Sequence, residues 1–285
     1  MLINSIEYLN ANVPLQPSLD KQEALFERLR SLRSIIVAFS GGTDSAYLAW
    51  AAHQTLGENA LAITAISPSF SAHDRKQAAE FAQECDLRHE FIETHEFDNP
   101  LYVANQPDRC YHCKVELFTV LSSISAKRGA AAIAYGANMD DLRDFRPGHR
   151  AAVEYGILAP LLDCRLTKSE IRNLSRRAGL STWDRPAAAC LSSRVPYGKP
   201  VTVEGLSRIE RAESVLREFG FRQFRVRSHE DLARIEIDTP ELGKALTVDV
   251  ARALSERIRD VGFAYVTLDL AGYKQGSLNS VLKRE

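Results

Sequence analysis

The sequence predicts an α/β protein: a parallel sheet with helices on both faces, followed by a smaller C-terminal α+β domain. Two observations predict this fold class. In the N-terminal part of the chain, short apolar runs alternate with helical segments, as in βαβ units whose strands are buried on both faces. Beyond residue 198, two short runs of alternating residues, 224–227 and 233–237, lie close together in the chain, as the strands of a hairpin do.

The elements of the predicted sheet follow in chain order. The four runs that we interpret as strands are 35–39, 60–66, 88–94 and 131–135. The segments between them that favour helices are 46–52, 73–85 and 111–127. Ligands of such sheets bind at the carboxyl ends of the strands.

A local enrichment in proline and glycine marks the predicted end of this domain. Pro186, Pro196, Gly198 and Pro200 punctuate the stretch 186–200, so we place a domain of residues 1–198 before a domain of residues 199–285. In the second domain the pattern predicts helices over 203–219 and 248–260, and strands over 224–227, 233–237 and 264–270.

Composition and charge favour an ordinary soluble enzyme. The chain of 285 residues is 45% hydrophobic and its formal net charge is −1, so no global field favours nucleic acid or an anionic membrane. No apolar run is long enough to span a bilayer, and the N-terminus lacks the features of a signal peptide. We therefore expect a cytoplasmic protein with no nucleic-acid or membrane partner. The five cysteines favour thiol chemistry or metal ligation over a disulfide framework.

The most informative motif is the loop Ser40-Gly41-Gly42-Thr43-Asp44-Ser45, between the first predicted strand and a helix. Its glycines allow bare backbone to approach a ligand, and the helix N-terminus that follows attracts phosphate. The loop lacks the Walker Lys-Ser/Thr pair and resembles the pyrophosphatase loop of the PP-loop enzymes. We expect Ser40, Gly41, Gly42 and Ser45 to cradle phosphates. Asp44 would orient the loop or a metal ion, or simply cap the helix.

Three cysteines form a second candidate site. Cys110 and Cys113 make a C-x-x-C motif near a predicted helix start, and Cys190 lies in a loop. Three thiolates suit a 4Fe–4S cluster with one open iron. A redox dithiol, a zinc site completed by His112 and three unrelated small residues are the alternatives. Cys85 and Cys164 suit structural positions.

Several polar residues complete the candidate list. Asn138, Asp141 and Asp144 follow a predicted strand, near the expected cleft. We expect Asn138 to bind the nucleotide and the carboxylates of Asp141 and Asp144 to reach Mg²⁺ or the substrate. The alternative is that these are surface turn residues. Arg225 and Arg227 lie two apart on a strand and project to one face. They suit a phosphate, the alternative being a solvated sheet face.

The assembled motifs resemble the LarE family of ATP-dependent sulfur transferases, a branch of the PP-loop superfamily, from about Arg33 to Leu278. The segments that carry the resemblance are 40–45, 135–141, 144–148, 189–198, 225–227 and 265–269. The resemblance implies the fold of the PP-loop ATP pyrophosphatases (adenine nucleotide alpha hydrolase-like).

The implied reaction belongs to the biosynthesis of the nickel-pincer nucleotide cofactor. ATP, with Mg²⁺, adenylates a carboxylate of pyridinium-3,5-biscarboxylic acid mononucleotide, pyrophosphate leaves, and sulfur displaces AMP to give the thiocarboxylate. Family members lose the sulfur of the cysteine at the position of Cys190, or use three cysteines to hold a 4Fe–4S cluster. Because Cys110 and Cys113 are present, this chain resembles the second type.

The resemblance also implies further site residues and partners. Arg225 and Arg227 would hold the phosphate of the mononucleotide, with Glu213 close by. Arg194, four residues after Cys190, would steer the anionic substrate or bind the phosphate of AMP. Family members tend to form homo-oligomers, and a nickel-insertion enzyme would use the product.

Three other functions compete. A PP-loop tRNA thiolase would need an RNA-binding module and strongly salt-dependent binding, which this near-neutral chain does not suggest. An amidotransferase-type synthetase would leave the thiols without a purpose. A nucleotide-binding iron–sulfur sensor would bind ATP without releasing pyrophosphate.

Overall fold

A computed structural model describes residues 15–143, 147–186, 189–274 and 276, so Asp144, a predicted magnesium ligand, lies outside the described residues. The described residues form two compact units. Unit 1 contains those within 15–67, 72–95 and 110–186, and unit 2 contains those within 68–71, 96–109 and 189–276. None of the helices in the described part of the chain is both long and apolar enough to cross a bilayer.

Unit 1 is built on a four-stranded sheet. Its strands are β1 (Ile35–Ala38), β2 (Ala60–Ile66), β3 (His89–Glu93) and β4 (Ala132–Tyr135). All neighbours pair in parallel, in the order β3-β2-β1-β4. The chain therefore moves outward from β1 to β3 and then returns to the other side of β1. This reversal makes the carboxyl ends of β1 and β4 the topological switch point, where open α/β sheets bind ligands.

Helices make up most of the remaining described structure. They are α1 (Leu15–Arg30), α2 (Thr43–Leu56), α3 (Ala72–Glu84), α4 (Pro100–Val103), α5 (Arg109–Arg128), α6 (Pro147–Glu154), α7 (Pro160–Asp163), α8 (Lys168–Arg177), α9 (Val203–Glu218), α10 (Leu242–Ala245) and α11 (Val248–Asp260). Of these, α4 and α9–α11 belong to unit 2, and α5 belongs to unit 1 except for its first residue.

Helices cover both faces of the parallel sheet, as the sequence predicts. Ile35 and Val37 pack into one core with Tyr47 of α2. Ile36, between them, packs into a second core with Phe118 of α5. Because alternate residues of a strand face opposite sides of a sheet, an unbroken apolar strand buries both of its faces. The predicted α/β class is therefore confirmed.

Unit 2 contains a three-stranded sheet with strands β5 (Phe224–His229), β6 (Leu232–Ile237) and β7 (Tyr265–Leu268). The predicted hairpin is confirmed, since β5 and β6 pair antiparallel. β7 pairs with β6 in parallel, and α11 lies in the crossover that a parallel pair requires. Segments 68–71 and 96–109 also belong to this unit, because contacts distant in sequence join them to it.

Candidate active site

The glycine loop predicted from the sequence joins β1 to α2 at the switch point. Gly41 has φ +76°, and a Cβ added there would lie 3.3 Å from the Cβ of Ala78. This conformation and this space favour glycine. Gly42 is the N-cap of α2 and has no side chain to cap the helix. The first-turn N–H groups are thus left without a side-chain acceptor from the cap, which suits an anionic ligand.

The two serines of the loop close it internally. The Ser45 hydroxyl accepts from the Ser40 backbone N–H at 3.2 Å, lies 3.0 Å from the Ser40 hydroxyl, and donates to the Gly42 carbonyl at 3.0 Å. One hydroxyl therefore bonds both ends of the turn and stabilises the loop conformation.

Gly136, immediately after β4, lies against the start of α2. A Cβ at Gly136 would be 2.8 Å from the backbone nitrogen of Ser45 and 2.9 Å from its Cα. These are backbone atoms of the loop and helix, so they cannot yield as the end of a flexible side chain would. The close approach therefore requires glycine at this position.

A lysine that the sequence analysis did not assign reaches this loop. Lys168 is the first residue of α8, and its ammonium group lies 2.6 Å from Oδ2 of Asp44. Burial raises the pKa of Asp44, the Lys168 charge opposes this rise, and the nearby charge of Asp141 adds to it. Asp44 thus forms an ion pair rather than the helix cap, which is Gly42.

The turn after β4 supplies the remaining polar groups of unit 1. Asn138 is buried, and its backbone N–H donates to Asp141 Oδ2 at 3.0 Å. Its side-chain oxygen accepts from the Asp140 N–H at 2.9 Å, and Asp140 Oδ2 accepts from the N–H of Lys168 at 2.7 Å. The structure therefore brings Asn138 and Asp141 to the same edge of the sheet as the loop.

Arg185 bonds directly to the glycine loop, and Arg172 holds the segment that carries Arg185. Arg185 donates to the carbonyl of Gly41, and burial lowers its pKa. Arg172 donates to the carbonyls of Trp183 and Arg185 at 3.0 and 2.6 Å. The Gly41 carbonyl therefore has a guanidinium as its hydrogen-bond donor, and the backbone of the residue that supplies this guanidinium is itself held by Arg172.

We expect Lys168→Met to lower the unfolding free energy more at neutral pH than in mild acid. The pKa of Asp44 lies above its ordinary value of 3.8, so the folded state favours its protonated form and stability falls as pH rises through the raised pKa. Losing Lys168 raises this pKa further and steepens the fall. Urea unfolding of the wild type and of Lys168→Met over a range of pH measures this difference in unfolding free energy.

Lys76→Met is the matched control for this prediction. Lys76 is exposed, and its ammonium group forms a long ion pair of 3.7 Å with Glu80 on the same helix. Replacing Lys76 should therefore change the unfolding free energy little, and by the same amount at every pH. A Lys168→Met variant whose stability loss is the same in mild acid as at neutral pH would contradict the assigned ion pair.

In unit 2, the loop that carries Cys190 is tied to Glu213. Arg194 pairs with Glu213 through two bonds of 2.8 and 3.0 Å, and both side chains are buried. Nη1 of Arg194 donates to the carbonyls of Ala189 and Cys190 at 2.5 and 3.1 Å. Burial raises the pKa of Glu213, but Arg194 and the Val226 N–H outweigh it, so the pKa is lowered overall. Glu213 therefore stays ionised.

The arginine pair of β5 is buried, with Arg225 8% and Arg227 5% exposed, so the alternative of a solvated sheet face is wrong. Arg227 donates to Glu236 Oε2 at 2.8 Å and to the Ser193 carbonyl at 2.7 Å. Burial, followed by the charge of Arg194, lowers the pKa of Arg225 to about 10. A bound anion would relieve this crowding of positive charge.

The cysteines fall in different places. Cys110 and Cys113 lie three residues apart at the start of α5, on one face of the helix, exposed and half-buried respectively. Cys190 is half-buried in unit 2. Burial raises the pKa of Cys85 to about 11 and also raises that of Cys164, which suits structural thiols. Within either unit, the described residues contain no group of three or more His, Cys, Asp or Glu arranged for a metal ion.

The sequence alone did not predict that Lys168, Gly136 and Arg185 contact the glycine loop. One signal was available for Lys168: Thr167 and Glu170 have the spacing of a capping box, which the structure contains. A lysine in the first turn of a helix opposes the helix dipole, so its position needs a partner. The approach of Gly136 to Ser45 joins residues far apart in the chain and has no local signal.

Fold and loop together define the class: a parallel α/β protein with a PP loop at its topological switch point. No family model matches the chain. A pyridinium-3,5-bisthiocarboxylic acid mononucleotide synthase of Lactiplantibacillus plantarum is 33% identical over 265 residues, 93% of this chain and 95% of the synthase. The chain belongs to the family of this synthase, the LarE family.

Two further relatives are uncharacterized proteins. One from Synechocystis sp. is 45% identical over 265 residues, 93% of this chain and 98% of its own length. Another, from Methanocaldococcus jannaschii, is 29% identical over 242 residues, 85% of this chain and 91% of its own length. Both alignments cover nearly the whole length of the relative, so the similarity includes both units of this chain.

Proposed function

We propose that the protein is an ATP-dependent sulfur transferase that converts a carboxylate of pyridinium-3,5-biscarboxylic acid mononucleotide into a thiocarboxylate. The observation that carries this proposal is the closed glycine loop at the switch point, in a chain similar throughout to a pyridinium-3,5-bisthiocarboxylic acid mononucleotide synthase. The product would serve nickel-pincer cofactor biosynthesis, with a nickel-insertion enzyme downstream, and the protein would work as a homo-oligomer.

The first step is adenylation. A substrate carboxylate oxygen attacks the α-phosphorus of ATP, and pyrophosphate leaves with its bond electrons. The N–H groups of the loop and the start of α2 stabilise the charge of the leaving pyrophosphate. Ser40, Gly41, Gly42 and Ser45 form this cradle in the proposal, and Asn138 borders it.

Mg²⁺ would offset the negative charge of the ATP phosphates. Among the described residues, Oδ1 of Asp44 is buried and has no hydrogen-bond partner, while Asp141 lies near enough to raise the pKa of Asp44. Carboxylate oxygens are the ligands that Mg²⁺ prefers. We therefore assign Asp44 and Asp141 to the magnesium ion.

The mononucleotide phosphate would bind in unit 2. Glu213 and Glu236 already engage Arg194 and Arg227, so these arginines hold the binding surface in place. Arg225, whose pKa burial and neighbouring cations lower to about 10, would contact the phosphate together with Arg227, because a bound anion stabilises crowded guanidinium charges. The guanidinium carbon of Arg225 lies 5.1 Å from the centroid of the Tyr273 ring, which is within the range of a cation–π contact.

The second step is sulfur transfer. A sulfur nucleophile attacks the activated carbonyl, and AMP leaves with the electrons of the carbon–oxygen bond. If Cys190 is the donor, loss of its Cα proton and cleavage of its Cβ–Sγ bond leave dehydroalanine and the thiocarboxylate. This balance needs no oxidant.

Three thiols, those of Cys110, Cys113 and Cys190, match the ligand chemistry of a 4Fe–4S cluster. When bound, such a cluster supplies a site that holds an extra sulfide, which would spare Cys190. Cys110 and Cys113 are three residues apart at the start of α5, so both thiols lie on one side of the helix and could act as two ligands of one group.

The test uses protein purified without oxygen, with ATP, Mg²⁺ and the dicarboxylate mononucleotide. We expect pyrophosphate, AMP and a product in which sulfur replaces one oxygen. Iron and acid-labile sulfide per chain, measured beside Cys113→Ala, separate the two sulfur routes: about four irons, lost in the variant, support the cluster.

Other outcomes are equally informative. Iron-free protein that makes one product per chain and leaves dehydroalanine at Cys190 supports the single-use route. Pyrophosphate release without any sulfur-containing product contradicts sulfur transfer, and ATP binding without pyrophosphate release contradicts adenylation.

A further inference from the structure

Three buried arginines hold the backbone of the Cys190 loop in unit 2. Arg194 donates to the carbonyls of Ala189 and Cys190, and Arg227 donates to that of Ser193. The third, Arg109, donates to the carbonyl of Ser192 at 2.8 Å. Arg109 is the first residue of α5, and its contact with the Cys190 loop joins residues 83 positions apart in the chain.

Arg109 belongs to a polar cluster that spans the loop and the segment after it. Only 3% of Arg109 is exposed, and its Nη1 also donates to Oδ1 of Asn105 at 2.5 Å. The amide nitrogen of Asn105 donates to the carbonyls of Pro196 and Lys199 at 2.8 and 2.9 Å. One Asn–Arg pair thus ties both ends of the stretch 192–199.

A neighbouring hydroxyl strengthens this attachment. The buried Tyr102 hydroxyl lies 2.7 Å from the Ser192 hydroxyl, and the N–H of Leu191 donates to the carbonyl of Ser69 at 2.9 Å. The residues on the C-terminal side of Cys190 are therefore held by segments 68–71 and 96–109, which explains why these segments belong to unit 2.

The position of Arg109 is electrostatically costly. A cation in the first turn of a helix opposes the helix dipole, and burial removes its hydration. Buried ion and hydrogen-bond networks often stabilise no better than well-packed apolar residues. Such a site is better explained by the geometry it imposes than by its contribution to stability.

We propose that Arg109 is a positioning residue for sulfur transfer: with Asn105, it fixes the loop that presents Cys190. This inference rests on the proposed function, since it assigns Cys190 to the sulfur-transfer step. The hydrogen bonds of Arg109 to Asn105 and to the Ser192 carbonyl act on the loop that carries Cys190, so we expect its substitution to affect the sulfur-transfer step rather than adenylation.

The test compares Arg109→Gln with the wild type in two steps of the reaction. We expect pyrophosphate release in the first turnover to stay within about twofold, while thiocarboxylate formation falls at least about tenfold, because misplacing a reacting group slows only its own step. Alkylation of Cys190 by iodoacetamide, followed by peptide mass spectrometry on iron-free protein, should accelerate at least about threefold as the loop loosens.

Arg128→Gln is the matched control, with the same change at the exposed last residue of α5, where Arg128 pairs with Glu90. It should alter neither step nor the alkylation rate. Arg109→Lys keeps the charge but not the planar fork, so its effects should be intermediate, and it carries the test if Arg109→Gln does not fold.

The outcomes separate this inference from the proposed function. If the wild type makes no thiocarboxylate, the proposed function fails, and the alkylation rates still decide whether Arg109 orders the Cys190 loop. If both steps fall equally in Arg109→Gln, or if neither sulfur transfer nor alkylation changes, the positioning role is overturned.

Discussion

Replacing Cys190 by serine should abolish thiocarboxylate formation while leaving adenylation intact. Serine is close to cysteine in size, so the loop held by Arg194 and Arg109 should keep its shape. Its hydroxyl carries no sulfur and is a far weaker nucleophile and metal ligand than a thiolate. We expect product to fall at least ~10³-fold, with pyrophosphate release within about twofold of the wild type.

Product mass and pyrophosphate, measured in the same reaction, check this prediction. Cys85→Ser is the matched control, because Cys85 is a thiol whose pKa burial raises to about 11 and it has no role in the proposed chemistry. That variant should keep its activity. A Cys190→Ser protein that still makes product at a rate comparable to the wild type would remove Cys190 from both sulfur routes.

Gly136→Ala should disrupt the glycine loop without touching any catalytic side chain. The added Cβ would lie 2.8 Å from the Ser45 nitrogen and 3.0 Å from the Asp44 carbonyl carbon, so β4 and α2 must separate. Overpacking of this kind costs about 1–3 kcal/mol. Because the displaced atoms belong to the proposed phosphate cradle, we also expect KM for ATP to rise at least about tenfold.

Gly243→Ala provides the comparison. Gly243 lies in α10, and a Cβ there meets nothing within 4 Å, so alanine should leave stability unchanged or raise it by about 0.4–1 kcal/mol. Urea unfolding and the ATP dependence of pyrophosphate release measure both variants. If Gly136→Ala behaves like Gly243→Ala, the close approach does not constrain the loop.

The elements of the fold were largely predictable because their signals are local. The run that became β1 is apolar throughout and the run that became β2 is apolar except for Thr64, which is the pattern of strands buried on both faces. The helix predicted over 203–219 begins and ends within a residue of α9, because its apolar face repeats with helical periodicity. Such patterns depend only on neighbours in the chain.

The candidate site was predictable only in part. The glycine loop was recognisable because all of its members are contiguous. The partners of its side chains were not: Lys168 is 124 residues from Asp44, and Glu236 is nine residues from Arg227 on a paired strand. Two arginines at alternate strand positions predict a shared face, whether solvated or buried, and burial depends on what packs against that face.

The amino-acid sequence by itself determined the class of the protein, the order of its elements, the loop and the positions of the thiols, because periodicity, turn chemistry and contiguous motifs are properties of the local chain. The tertiary structure decided which charges meet. It paired Asp44 with Lys168, buried Arg225 and Arg227 beside carboxylates, and set Arg109 against the Cys190 loop. Those pairings follow from packing between distant segments, where desolvation makes each buried charge require a partner.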